Sequence, residues 1–183
     1  VPGAIQLFSL TILHMVLPPS ELALRIPPLL TSLAAMVLAG FVARRHFGTA
    51  AGWTALVLMA CLPLNIAYSR LGWDPSHTPL LVLAATYGAL ERRRLLSALC
   101  FAFALANHPS AVFAAPLLLL SFLGSELQDK PWRVAVLRSA AFAGMLVFSL
   151  LLSRATSPAA GNYLDVARSL ARLGDLSAYA SFA

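Results

Sequence analysis

IPPLLTSLAAMVLAGFVARRHFG, residues 26–48, runs eighteen positions without a charged side chain and then sets down Arg44, Arg45 and a glycine. A run of that length approaches the roughly 20 apolar residues that a membrane-crossing helix needs. Six more apolar runs flank it, at 3–17, 49–67, 78–90, 95–106, 110–124 and 134–152. Those at 49–67 and 134–152 are also near full length. The 78–90 and 95–106 runs are short and cross only if they borrow flanking Pro, Ser, Thr and Asn residues.

The whole composition agrees with this. Of 183 residues, 60% are hydrophobic and only 11% charged, too little polar surface for a water-soluble domain of this size. The formal charge of +6 does not point to nucleic acid, because the cations sit between apolar runs and form no stripe. Cys61 and Cys100 lie inside apolar runs, without the spacing of a disulfide framework or a zinc site. No basic segment or small-residue cleavage site marks residues 1–18 as a signal peptide. The start at Val1 and the stop at Ala183 in mid-pattern are expected of a piece of a longer chain.

Lys and Arg accumulate on the cytoplasmic side of membrane proteins. If 26–43 runs inward, Arg44, Arg45, Arg92, Arg93, Arg94, Lys130, Arg133 and Arg138 all fall inside, and Arg70 alone falls in an outer loop. The alternation holds only if every run from 26 onward crosses, which predicts six spans. Glu21, Arg25, Arg70, Asp74, His77 and His108 then share the outer face. Trp53, Trp73 and Trp132 suit an aromatic belt at the interfaces. Beyond the last run, Tyr163, Val166, Ala167, Leu170 and Leu173 recur at helical spacing between Asn162 and Gly174. They predict an amphipathic helix on the outer surface or within a larger external domain.

Each outer polar group has a structural explanation. Asp74 before Pro75 has the form of a helix start, His108 before Pro109 has the form of a cap, and Arg25 and Arg70 can anchor in headgroups. Their convergence at one membrane face also suits chemistry on a lipid-linked phosphate. Arginines donate paired N–H groups to phosphate oxygens, and a nearby carboxylate can orient or deprotonate an acceptor hydroxyl.

Several elements follow one another within about residues 2–120: Pro2; Ser20, Glu21, Ala23, Arg25 and Pro27; Arg44, Arg45, Phe47 and Gly48; Gly52 and Pro63; and Ser69, Arg70 and Asp74. Their order resembles the polytopic GT-C glycosyltransferases, in the branch of the protein O-mannosyltransferases and bacterial aminoarabinose transferases (glycosyltransferase family 39-like). Position 3 is Gly where that branch often has Pro. The resemblance implies an all-α, GT-C-like transmembrane bundle of about six spans plus an external interfacial helix. Residues 1–25 would end the first external loop, 26–152 form the bundle and 153–183 begin the next external loop.

The implied activity is inverting transfer of a sugar from a polyprenyl-phosphate donor to a lipid, glycan or protein acceptor, on the periplasmic face of a bacterial plasma membrane. Membrane lipids are the other partners, and the resemblance names no fixed cofactor while leaving a divalent ion open. Asp74 matches an external acidic position near the reacting centre. Arg25, Arg70 and His108 match donor-phosphate positions, and Glu21 and His77 are in reach by topology. The principal catalytic acid of such enzymes lies upstream of the Pro2 element, so residues 1–183 alone are expected to be inactive. Two other classes share these features: a multi-span transporter or flippase segment, and a non-catalytic membrane subunit.

Overall fold

The computed structural model describes residues 11–13, 20–70 and 74–156, and their regular structure is entirely helical. Most of the 3–17 run, Trp73 and nearly all of the 153–183 segment lie outside the described residues. The helices are α1 (Glu21–Phe47), α2 (Thr49–Cys61), α3 (Pro63–Arg70), α4 (Thr78–Leu90), α5 (Arg94–Asn107), α6 (Ala115–Leu127) and α7 (Trp132–Thr156). Two 3-10 turns, Asp74–His77 and Pro109–Ala114, lead directly into α4 and α6.

Helix α1 begins five residues before the apolar run, because Ser20 caps it: the Ser20 hydroxyl accepts the Ala23 N–H at 3.2 Å. Pro27 and Pro28 therefore sit inside the helix, where each removes one backbone donor. Thr31 Oγ1 donates back to their carbonyls, at 3.0 and 3.1 Å. The other end closes on Gly48, whose φ of 95° and ψ of 174° belong to a region that only glycine enters freely. α2 can then begin at the next residue and run back along α1. The two approach closely at Gly52, where a Cβ would lie 2.6 Å from Arg44 Cβ and 3.0 Å from the Gly40 carbonyl oxygen.

α2 stops at Leu62, held extended as a residue before proline must be, and Pro63 opens α3. The Asn65 side-chain amide donates to the Met59 carbonyl at 2.9 Å, satisfying a group the break would otherwise orphan.

α4 is the centre of the bundle, packed against α1, α5 and α6, while α7 packs on α5 and α6. Its buried face is small, with Ala85, Gly88 and Ala89, so neighbours come close. A Cβ on Gly88 would meet the Ser97 backbone nitrogen at 2.8 Å. Around Ala85 and Ala89 close Phe101, Leu105, Leu118, Phe122, Phe142 and Leu146, with the Phe122 and Phe142 rings 4.6 Å apart. Three serine hydroxyls cross between helices to backbone carbonyls: Ser97 to Ala85 (2.8 Å), Ser125 to Ala89 (3.3 Å) and Ser149 to Ala98 (3.4 Å). In an apolar solvent such bonds contribute about 0.6 kcal/mol each.

The outside of the bundle is greasier than the inside. Leu58, Leu95, Leu120, Leu137 and Phe148 are each more than 60% exposed. Ala23–Phe47, Pro109–Leu127 and Trp132–Ser153 are long and apolar enough to cross a membrane, and at most a third of each apolar window is covered by protein. Helices this apolar on faces the protein leaves open suit lipid as their solvent, and their length and composition are consistent with a membrane protein. α2, α4 and α5 are apolar but shorter, at 13 or 14 residues.

Candidate functional site

Two polar ends terminate the apolar bundle. At the first, Arg45 from the end of α1 binds Glu91 through Nε and Nη2, with His46 Nε2 3.6 Å from the same carboxylate. Arg92 pairs with Asp129, and Arg138 reaches the buried Glu126 at 3.3 Å. The eight cations assigned to the cytoplasmic side thus belong to the helix ends and turns at this one end, with three carboxylates among them. Sequence reasoning passed over Glu91, Glu126 and Asp129, because it counted cations to find sides and had no signal for which carboxylate each would meet.

Glu91 lies in the turn after α4. A hydrogen bond from Arg45 holds its carboxyl below the ordinary carboxylate range, helped by the charges of Arg45, His46 and Arg93 and opposed by burial. The turn closes with Arg93 N–H on the Gly88 carbonyl (2.7 Å) and Arg92 N–H on that of Ala89 (3.1 Å). This is the two-bond C-cap usually built around glycine. Here Arg92 fills the left-handed position, with φ 59°.

The second end is built around the Asp74–His77 turn, which packs on α1, α3, α4 and α5. Because Arg45 holds Glu91 at the far end of α4, this turn lies toward the start of α1. Arg25, one turn into α1, is exposed, and Arg70, the last residue of α3, is exposed too. Asp74 opens the turn and Glu21 opens α1. The helix start expected at Asp74–Pro75 is therefore present, as a 3-10 turn that passes into α4 at Thr78. His77 is 1% exposed, inside the bundle end. Next to it, Thr78 Oγ1 accepts from the buried Asn107 side chain at 3.2 Å, tying the start of α4 to the end of α5. His108 is half-buried; its Nδ1 accepts the Ser110 N–H at 3.2 Å and sits 2.7 Å from the Ser110 hydroxyl. It caps the Pro109–Ala114 turn, as its place before proline predicts.

The six residues singled out from the sequence therefore belong to helix ends or turns at this second end. Arg25, Arg70 and His108 reach its surface, and His77 stays within it. Among the described residues no group of three or more His, Cys, Asp or Glu side chains is disposed to hold a metal ion. No family model, characterised protein or solved structure matches the chain.

Proposed function

We propose that the chain is the membrane part of an integral-membrane glycosyltransferase of the GT-C type, which transfers a sugar from a polyprenyl-phosphate donor at the extracytoplasmic face. One observation carries this: a single four-residue turn at Asp74 gathers α1 and α3, which bear Arg25 and Arg70, and α5, which ends just before His108, around one end of an apolar bundle. A phosphate tethered to a lipid meets protein at that depth. Two arginines and a histidine there can hold its oxygens and stabilise charge on the leaving phosphate. Asp74 is the carboxylate to orient the acceptor or donor beside them.

Six spans fit this function, and the 3-10 turns supply length that the short helices lack. At about 2.0 Å per 3-10 residue and 1.5 Å per α-residue, the Asp74–His77 turn with α4 reaches roughly 28 Å, and the Pro109–Ala114 turn with α6 roughly 32 Å. Both are near the roughly 30 Å thickness of a bilayer's hydrocarbon core. α5, at roughly 21 Å, and α2, at roughly 20 Å before the break at Pro63, stay short.

The break at Leu62–Pro63 favours a second class, a transporter built on discontinuous helices. Such proteins bind substrate near the bilayer midplane, whereas the polar groups here cluster at the ends.

The test is sugar transfer by membranes expressing the whole reading frame, supplied with a panel of polyprenyl-phosphate sugars. Asp74→Asn and Arg25→Ala are each expected to lower transfer at least about tenfold, roughly 1.4 kcal/mol of barrier. Unchanged turnover in both variants would leave those residues with capping and anchoring alone.

A further inference from the structure

The opposite end of the bundle carries a feature that the transferase proposal does not use. A cleft of about 980 Å³ opens between the end of α1 and one face of α6, closed at its side by the α4–α5 turn. α6 contributes Leu120, Ser121, Gly124 and Ser125, and Gln128 follows at its C-terminal end, the spacing of a single helix face. This face changes character along its length, from apolar at Leu120, through small residues, to polar at Gln128. At the polar end stand Arg45, His46 and Arg92, with Glu91 the one carboxylate in the lining. Phe47 and Leu120 are 74% and 68% exposed, so the apolar walls continue onto the lipid-facing surface.

We infer that this cleft binds an anionic phospholipid of the cytoplasmic leaflet, its phosphate between Arg45, Arg92 and Gln128 and an acyl chain along α6 toward Leu120. Three observations fit one occupant. The cleft runs parallel to a helix that is long and apolar enough to cross the membrane, so anything in it lies in the direction of a lipid tail. Ser121 and Gly124 leave room for a chain to press against the helix, and a Cβ on Gly124 would meet nothing within 4 Å. The charge is complementary as well: the eight cations of this end exceed its three carboxylates by five, and basic pockets between helices on the cytoplasmic side attract anionic headgroups. Glu91 and Asp129 answer part of the charge on Arg45 and Arg92. Arg45 nonetheless keeps half its side chain exposed.

The experiment follows thermal unfolding of the purified full chain in a neutral detergent, titrated with dioctanoyl phosphatidylglycerol. A ligand that binds only the folded state raises the midpoint, and a rise of about 5 °C is expected near saturation. Dioctanoyl phosphatidylcholine and sn-glycerol 3-phosphate at the same concentrations are expected to give little. Gly124→Leu fills the apolar half of the cleft from a position with open space. Arg92→Gly removes a cation where φ favours glycine, so the turn is kept. Each is expected to lose at least half of the rise. Equal stabilisation by phosphatidylcholine, or an undiminished rise in both variants, overturns the proposal. A rise with glycerol phosphate as large as that with the lipid assigns the cleft to a soluble phosphate and overturns the lipid as occupant. Neither result bears on sugar transfer at the other end.

Discussion

At the scale of single residues, the ion pairs at the Arg45 end of the bundle differ in what their loss costs. Glu126 is buried, and Arg138 approaches it from a half-exposed position. Arg138→Ala strands the carboxylate, so a cost of about 2 kcal/mol is expected, between the values for surface and fully buried pairs. Glu126→Gln removes the charge that needed a partner and is expected to cost less than half as much. Denaturant or thermal unfolding in detergent gives the order, and the reverse order would mean that water or other groups already solvate Glu126. Glu91 adds a pH dependence. Its carboxyl is lowered in the folded chain, so its contribution is whole above the ordinary carboxylate range and disappears as pH falls through the lowered value. The stability gap between wild type and Glu91→Gln is therefore expected to be widest near neutral pH and to close as pH drops below about 4. A gap that stays constant to pH 3 would contradict the Arg45 bond as its source. None of these partnerships was legible in the sequence, since residues 45 and 91, or 92 and 129, meet only once alternate helices pack side by side with their C-terminal ends together.

At the scale of elements, the sequence was more informative. The 78–90 run is α4 to the residue, and 95–106 differs from α5 by one residue at each end, because prolines and charges bound these runs sharply. α1 starts five residues before the 26–43 run because that run was read for apolar residues and Arg25 interrupts it, whereas the cap at Ser20 starts the helix at Glu21 and the Thr31 hydroxyl lets it carry Pro27 and Pro28. The 3-10 turns were invisible, since nothing in Asp-Pro-Ser-His separates a tight turn from a loop before it packs. How closely the helices approach is decided by glycine. Gly52→Ala must force α2 away from the Arg44 and Gly40 backbone, and it is expected to cost about 1–3 kcal/mol despite the better helix propensity of alanine. Gly144→Ala meets nothing within 4 Å and is expected to stabilise by up to about 1 kcal/mol. Parallel melting curves of the two variants check the contrast, and equal effects would mean that α1 and α2 do not touch at Gly52.

At the scale of the whole molecule, charge asymmetry and bundle geometry bear on the same question from different sides. Counting cations gives a side to each loop without regard to distance, while the ion pairs bring the chain near residues 45, 91, 126, 129 and 138 to one end. The Thr78–Asn107 bond closes the other. The two agree on which loops lie together, and only the positive-inside rule says which end faces the cytoplasm. Labelling can decide that. Cys61 and Cys100 are free thiols, so a background with both replaced by serine is needed before single cysteines are placed at the exposed Ser110 and Lys130. A membrane-impermeant maleimide added to intact spheroplasts is expected to label Ser110→Cys and to leave Lys130→Cys unlabelled until the membrane is opened. The opposite pattern would invert the molecule, moving Arg25, Arg70 and Asp74 to the cytosol and the α6 cleft to the outer leaflet. Labelling of both positions from outside would mean that α6 does not cross, because it alone separates them. In that case the length added by the Pro109–Ala114 turn would serve packing within the bundle rather than passage through the bilayer.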